Sequence, residues 1–177
     1  MKVKGLFYPS LRTLLTAGLL LAAAVVPAGA QGHTSLTPLL IKLDGWQAEE
    51  PEGMTMNTGG INMVTATRKY VQGQKELDAM LMVGNQPMAM GQQEQMSVDT
   101  AHGRMRIRQI NGFQVHTTLD KRDNSGGVMV VLGKKEGSGA MFILTFKGIS
   151  DEEALKIAKK FDWQAMRKQT AKLLAQP

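Results

Sequence analysis

The stretch RMRIRQINGFQVHTTL, residues 104–119, decides the fold class. From Arg104 to Ile110 basic and apolar residues alternate, which is the two-residue period of a strand with one apolar face and one solvated face. Asn111-Gly112 follows, and both residues tolerate the positive φ that a tight hairpin turn requires. Phe113 to Leu119 then returns with a second alternating pattern. The stretch therefore predicts an antiparallel hairpin.

Upstream, a second hairpin is predicted from Ile61–Val71, a run rich in β-branched residues, and Glu76–Val83, with a turn at Gln72-Gly73-Gln74. The acidic residues, proline and glycine within Gln47–Asn57 predict a loop. Gly84–Gly103 differs in composition, with Pro87, Gly91 and several glutamines, and within it Gln92–Thr100 predicts either a short helix or a covering loop.

Downstream, Val128–Leu132 predicts a central strand and Ala140–Phe146 the last strand. The apolar period then changes to that of a helix after Ser150-Asp151-Glu152-Glu153, which has the spacing of a capping box. Asp162 can cap a second helical stretch. The predicted fold class is α+β, with an antiparallel β-meander of about six strands packed against a C-terminal helix.

The N-terminal residues predict an export signal. Lys2, Lys4 and Arg12 precede an apolar run of about 13 residues, too short to span a bilayer, and Ala28-Gly29-Ala30 fits a cleavage site. We therefore expect a signal peptide over residues 1–30, a flexible lead-in over 31–38 and a single α+β domain over 39–177. The predicted location is periplasmic or secreted, after cleavage near Ala30.

Charge and cysteine content limit the classes of function. The whole chain carries +6, and removal of the three basic residues of the signal lowers this to +3, which is not the footprint of a nucleic-acid-binding protein. The chain has no cysteine. Disulfides, thiolate catalysis, a lipid anchor on an N-terminal cysteine and cysteine-based metal sites are therefore excluded.

Methionine suggests a soft-metal site. Met54/Met56, Met80/Met82 and Met88/Met90 are Met-x-Met pairs, and residues i and i+2 of an extended segment face the same way. Thioethers select Cu(I) and Ag(I), and the spacing resembles that of periplasmic copper-binding proteins. The candidate ligands are Met54, Met56, Met88, Met90 and His102. The alternative is that these methionines only pack, as expected for Met80 and Met82.

A basic surface is the other candidate site. Arg104, Arg106 and Arg108 share one strand face, and they predict either a basic surface for an anionic glycan, a lipid headgroup or an acidic partner, or an ordinary solvated face. The C-terminal helix is basic as well, so contact with a membrane surface is a weaker alternative. His116 alternates with Val115 and Thr117 and is expected on a solvated strand face.

The order of elements resembles small exported bacterial domains of the PsbP/Mog1-like kind. The resemblance lies in the early Gly45-Trp46, the meandering strands and the final helix opening at Ser150–Glu153. The resemblance implies a fold used for binding and assembly, and it assigns no catalytic residues to this chain. The sequence predicts a non-enzymatic exported binding domain for an envelope protein or small ligand, without a cofactor. The alternative is a Cu(I)- or Ag(I)-binding protein.

Overall fold

A single nine-stranded antiparallel sheet dominates the computed structural model, which describes residues 32–85 and 95–175. Two 3-10 turns, His33–Ser35 and Thr37–Leu39, precede the sheet, and two helices follow it. The strands are β1 Gln47–Ala48, β2 Glu52–Thr58, β3 Ile61–Gln72, β4 Lys75–Gly84, β5 Met96–Asp99, β6 Gly103–Ile110, β7 Phe113–Asp120, β8 Ser125–Lys135 and β9 Ser138–Lys147. The helices are α1 Asp151–Ala158 and α2 Trp163–Leu174.

The sheet order is β1-β3-β4-β9-β8-β7-β6-β5, with β2 also paired to β3. The last strand, β9, therefore lies between β4 and β8 and joins an N-terminal group of strands to a C-terminal meander. This confirms the α+β class and the antiparallel pairing. It corrects the simple meander of about six strands, because β1, β2 and β5 are additional.

The two predicted hairpins are present. Asn111 and Gly112 both have positive φ, at 51° and 77°, and join β6 to β7 in register from Ile110↔Phe113. At the second hairpin, β3 pairs with β4 from Gln72↔Lys75 onward. The predicted loop over Gln47–Asn57 is wrong, since it contains β1 and most of β2. Part of the alternative helix over Gln92–Thr100 is strand β5.

Both helices begin where the sequence predicts. The Ser150 hydroxyl oxygen accepts a hydrogen bond from the Glu153 amide at 3.1 Å, and the Asp162 carboxylate accepts one from the Ala165 amide at 2.9 Å. These bonds satisfy amides that a first helical turn leaves without a backbone partner. α1 and α2 pack against the same face of the sheet, chiefly on β8 and β9.

The core lies between the helices and that face, which we call the helix face. It holds Tyr70, Phe142 and Phe161, with the Tyr70 and Phe161 rings edge to face at 6.4 Å. Leu36 is fully buried in the same core, so the predicted flexible lead-in supplies a core residue. The Arg68 guanidinium is also buried and donates to the carbonyl oxygen of Leu40 at 2.7 Å.

Candidate functional site

The second face of the sheet is lined with methionine. Because side chains alternate along each strand, the residues between those of the helix face point to the opposite side. Apart from Met166, which is in the core, every methionine of residues 32–85 and 95–175 lies on that side. We call it the methionine face; its methionines are Met54, Met56, Met63, Met80, Met82, Met96, Met105, Met129 and Met141.

Strand register places six of these nine methionines in two rows of directly opposed residues. The longer row crosses six strands through Met80, Ile143, Met129, His116, Ile107 and Met96. The other row crosses five strands through Met54, Thr65, Met82, Met141 and Val131. Opposed side chains in an antiparallel sheet lie about 4.5–5.5 Å apart at Cβ, so each row is continuous.

Exposed apolar side chains are concentrated on this face. Of the large hydrophobic residues that the structure describes as exposed, Ile41 alone lies elsewhere; the others are Met54, Met56, Ile61, Val71, Val98 and Met105. They lie toward the two lateral edges of the sheet, on β2 and β3 and on β5 and β6. In the middle, Met141 and Val131 are only 9% exposed. The exposed apolar residues thus form two groups, one at each lateral edge, with nearly buried apolar residues between them.

His116 is the polar residue in the middle of the longer row. It is half-buried rather than solvated, and its Nε2 atom is buried without a hydrogen-bond partner. Burial lowers the pKa of His116, and the positive charge of Lys134 lowers it further. A neutral imidazole in this position preserves the apolar character of the face.

A polar depression of about 380 Å³ lies at one end of the methionine face. Lys69, Asp78 and Thr145, opposed across β3, β4 and β9, line it together with Glu49, Glu76 and Lys147, among others. Burial raises the pKa of Asp78, Lys69 lowers it and Glu49 raises it. Charges of both signs border the apolar surface at this end.

The predicted metal ligands do not all come together. Met54 and Met56 lie on β2, where they are 47% and 36% exposed. His102 is exposed in the turn between β5 and β6, and five strands separate β2 from β6. Met88 and Met90 lie outside the described residues. Instead, β2–β3 pairing brings Met63 directly opposite Met56, a partner that the sequence analysis missed because it placed no strand at β2.

The three arginines of β6 lie on the helix face, where α1 begins. Arg104 Nη1 is 3.3 Å from Asp151 Oδ1, and Arg106 and Arg108 both pair with Glu152. Asp99 on β5 accepts from Arg104 Nε at 3.0 Å. These guanidinium groups bind acids of the same chain, so an acidic partner would have to compete with those ion pairs. Their role in partner binding stays a prediction.

No protein-family model, curated protein or solved structure matches this chain, and the PsbP/Mog1-like resemblance therefore stays an expectation. Among the helices of the described residues, none combines the length and the apolar character needed to cross a bilayer.

Proposed function

We propose that this chain is an exported, non-enzymatic binding domain that receives an apolar segment of an envelope protein on its methionine face. The observation that carries the proposal is the placement of nearly all exposed large apolar side chains of the described residues on that single face. Exposed apolar residues grouped on one surface and bordered by polar residues are typical of interaction sites, and here they form one group on β2 and β3 and another on β5 and β6.

The kind of side chain also favours binding. Methionine is unbranched, has three rotatable bonds and carries a polarisable sulfur, so a methionine surface adapts to partners of different shape. Cores use branched and aromatic residues instead, and the helix face of this sheet follows that pattern with Leu81, Val130 and Phe142. One sheet thus presents a closely packed side to its own helices and an adaptable side to a partner.

Export is part of the same proposal. We propose that residues 1–30 act as a signal peptide and that the mature chain starts near Gln31. Gly32, close to the proposed cleavage point, packs against the domain, because a Cβ atom added there would lie 3.0 Å from a methyl group of Val64. Mass spectrometry of the protein purified from the cell envelope should give an N-terminus at Gln31; a chain that retains residues 1–30 would contradict this part.

Site-specific photocrosslinking tests the binding surface in intact cells. A photoreactive amino acid placed at Met105 on the methionine face is expected to give a discrete adduct with an envelope protein. Ile41 is the matched control, since it is exposed to a similar extent, 39% against 36%, but lies off that face. We expect no such adduct from position 41. Equal adducts from both positions, or none from Met105, would contradict the proposal.

A double substitution that introduces positive charge provides a second test of the binding surface. Met105→Lys with Val98→Lys puts two cations on the methionine face, which disfavours apolar contact through the cost of desolvating a charge. A photoreactive group at Met129 should then lose its adduct, whereas Ile41→Lys should leave that adduct unchanged. Circular dichroism of each variant checks that the fold is retained.

A further inference from the structure

The β2–β3 hairpin carries three methionines, Met54, Met56 and Met63, that strand pairing places close together. We propose that Met54, Met56 and Met63 form a three-thioether site for a soft monovalent cation, Cu(I) or Ag(I). This goes beyond the proposed binding function, because it assigns a specific ligand class to one edge of the methionine face.

Strand register places the three residues together. Met56 is directly opposite Met63, and Met54 is opposite Thr65, two positions along β3 from Met63. Directly opposed residues have Cβ atoms about 4.5–5.5 Å apart and diagonal neighbours about 7–8 Å, distances that methionine side chains can span. All three side chains project from the same face of the hairpin, so their sulfur atoms can converge on one ion.

The hairpin backbone fixes this arrangement in advance. Gly59 and Gly60 have φ of 59° and 81°, the positive values that a two-residue hairpin turn requires, and the pairing runs without a slip from Thr58↔Ile61 to Glu52↔Thr67. A one-residue slip would move Met54 and Met56 to the other face. On its other side β3 pairs with β4 over ten residue pairs, which holds Met63 in place.

Solvent exposure distinguishes these methionines from packing residues. Met54 and Met56 are 47% and 36% exposed, so neither fills a core, and Met63 is half-buried beside them. An ion can therefore reach the sulfur atoms from solvent. A site of this kind on an exported protein would encounter metal outside the cytoplasm, where thioether ligands, which do not form disulfides, are chemically suitable.

The ligand set determines which ion is selected. Thioether sulfur is neutral and soft, so three such ligands favour Cu(I) and Ag(I) over Zn²⁺, Ca²⁺ or Mg²⁺, which prefer imidazole or oxygen ligands. Within residues 32–85 and 95–175 no group of three or more histidine, aspartate or glutamate residues is arranged to hold a metal. The described residues thus offer no competing cluster of harder ligands.

Anaerobic competition with a chelator of known Cu(I) affinity tests the site on the purified full chain. We expect one Cu(I) per chain in the wild type and loss of this binding in the triple variant Met54→Leu, Met56→Leu, Met63→Leu. Leucine keeps the apolar volume but has no sulfur. Met105→Leu is the matched control, because Met105 is as exposed as Met56, 36%, and lies on the same face, and it should bind as the wild type does.

Three outcomes would overturn the site: no Cu(I) binding by the wild type, binding unchanged in the triple leucine variant, or binding lost only when Met88 and Met90 are replaced. The triple variant also separates the two proposals. Since leucine preserves apolar contact, crosslinking from Met105 should persist in that variant. Retained Cu(I) binding together with a persistent crosslink would overturn the metal site and leave the binding face standing, whereas a missing Met105 crosslink in the wild type would overturn the binding face alone.

Discussion

At the scale of a single residue, protonation of His116 makes the free energy of unfolding depend on pH. Burial lowers its pKa below the usual value of 6.5, so the unfolded chain takes up a proton at a higher pH than the folded chain. The free energy of unfolding should therefore decrease as pH falls below about 7 and continue to decrease until the folded-state imidazole is itself protonated. The stability that the neutral form of His116 provides is therefore fully present only above the pKa that His116 has in the unfolded chain.

Urea titrations at pH 7.5 and pH 5.5 measure this effect. The wild type should lose more stability between the two pH values than the His116→Gln variant, which cannot titrate there. His102→Gln is the control, because His102 is exposed in a turn, and it should retain the wild-type pH dependence. If His116→Gln and the wild type lose equal stability, the buried imidazole is not the source.

The arginines of β6 show which properties of single residues the sequence could predict and which it could not. The alternation from Arg104 to Ile110 correctly predicts a strand with two unlike faces. It cannot indicate which face the helices cover, since that depends on packing across the sheet. Here the arginines lie on the helix side and Ile107, only 4% exposed, on the methionine side. The arginines are half-buried there, because acids at the start of α1 pair with them.

At the scale of elements, Asp151 links β6 to α1. Its side chain is 2% exposed and lies within ion-pairing distance of Arg104 and Arg106. Asp151→Asn removes the charge that both arginines face and should lower the free energy of unfolding by about 1–3 kcal/mol, the usual effect of losing a hydrogen bond to a charged group. Urea denaturation measures the change.

Glu136→Gln is the control for that experiment, because Glu136 is an exposed acid in the turn between β8 and β9. It should change stability by less than about 0.5 kcal/mol, as is usual for surface substitutions. An Asp151→Asn variant as stable as Glu136→Gln would show that the ion pairs contribute nothing net and that α1 is held by apolar packing alone.

Elements with their own hydrophobic pattern were predictable, and those formed by pairing were not. β3, β4 and β6–β9 carry alternating or continuous apolar residues, and both helices begin at capping residues. β2 begins with a glutamate and a glycine, Glu52 and Gly53. It forms a strand because it pairs with the twelve-residue strand β3. Met63 was missed as a candidate ligand for the same reason, since only β2 gives it a methionine opposite.

At the scale of the whole molecule, the two faces of the sheet differ in what covers them. The sequence predicts a sheet with helices on one side but gives no strand order, because pairing of β9 with β4 and β8 joins residues distant along the chain. That order is what assembles methionines from separate strands into one surface. Their individual positions were visible in the sequence, and their common face was not.

Adjacent residues on β9 test this asymmetry. Phe142 is fully buried on the helix face, and Ile143 is half-buried on the methionine face between Met80 and Met129. Phe142→Ala should lower the free energy of unfolding by about 3–5 kcal/mol, as expected for a core phenylalanine. Ile143→Ala should cost only about 1–2 kcal/mol, since less of its apolar surface leaves water on folding.

Urea denaturation of both variants in the intact chain measures the difference. If Ile143→Ala costs as much as Phe142→Ala, the methionine face is covered within the chain itself and is not available to a partner, which would remove the basis of the proposed binding surface. If the costs differ as expected, Ile143 contributes less to folding than Phe142, because part of its apolar surface stays in contact with water in the folded chain. That remaining apolar surface is what the proposed partner would cover.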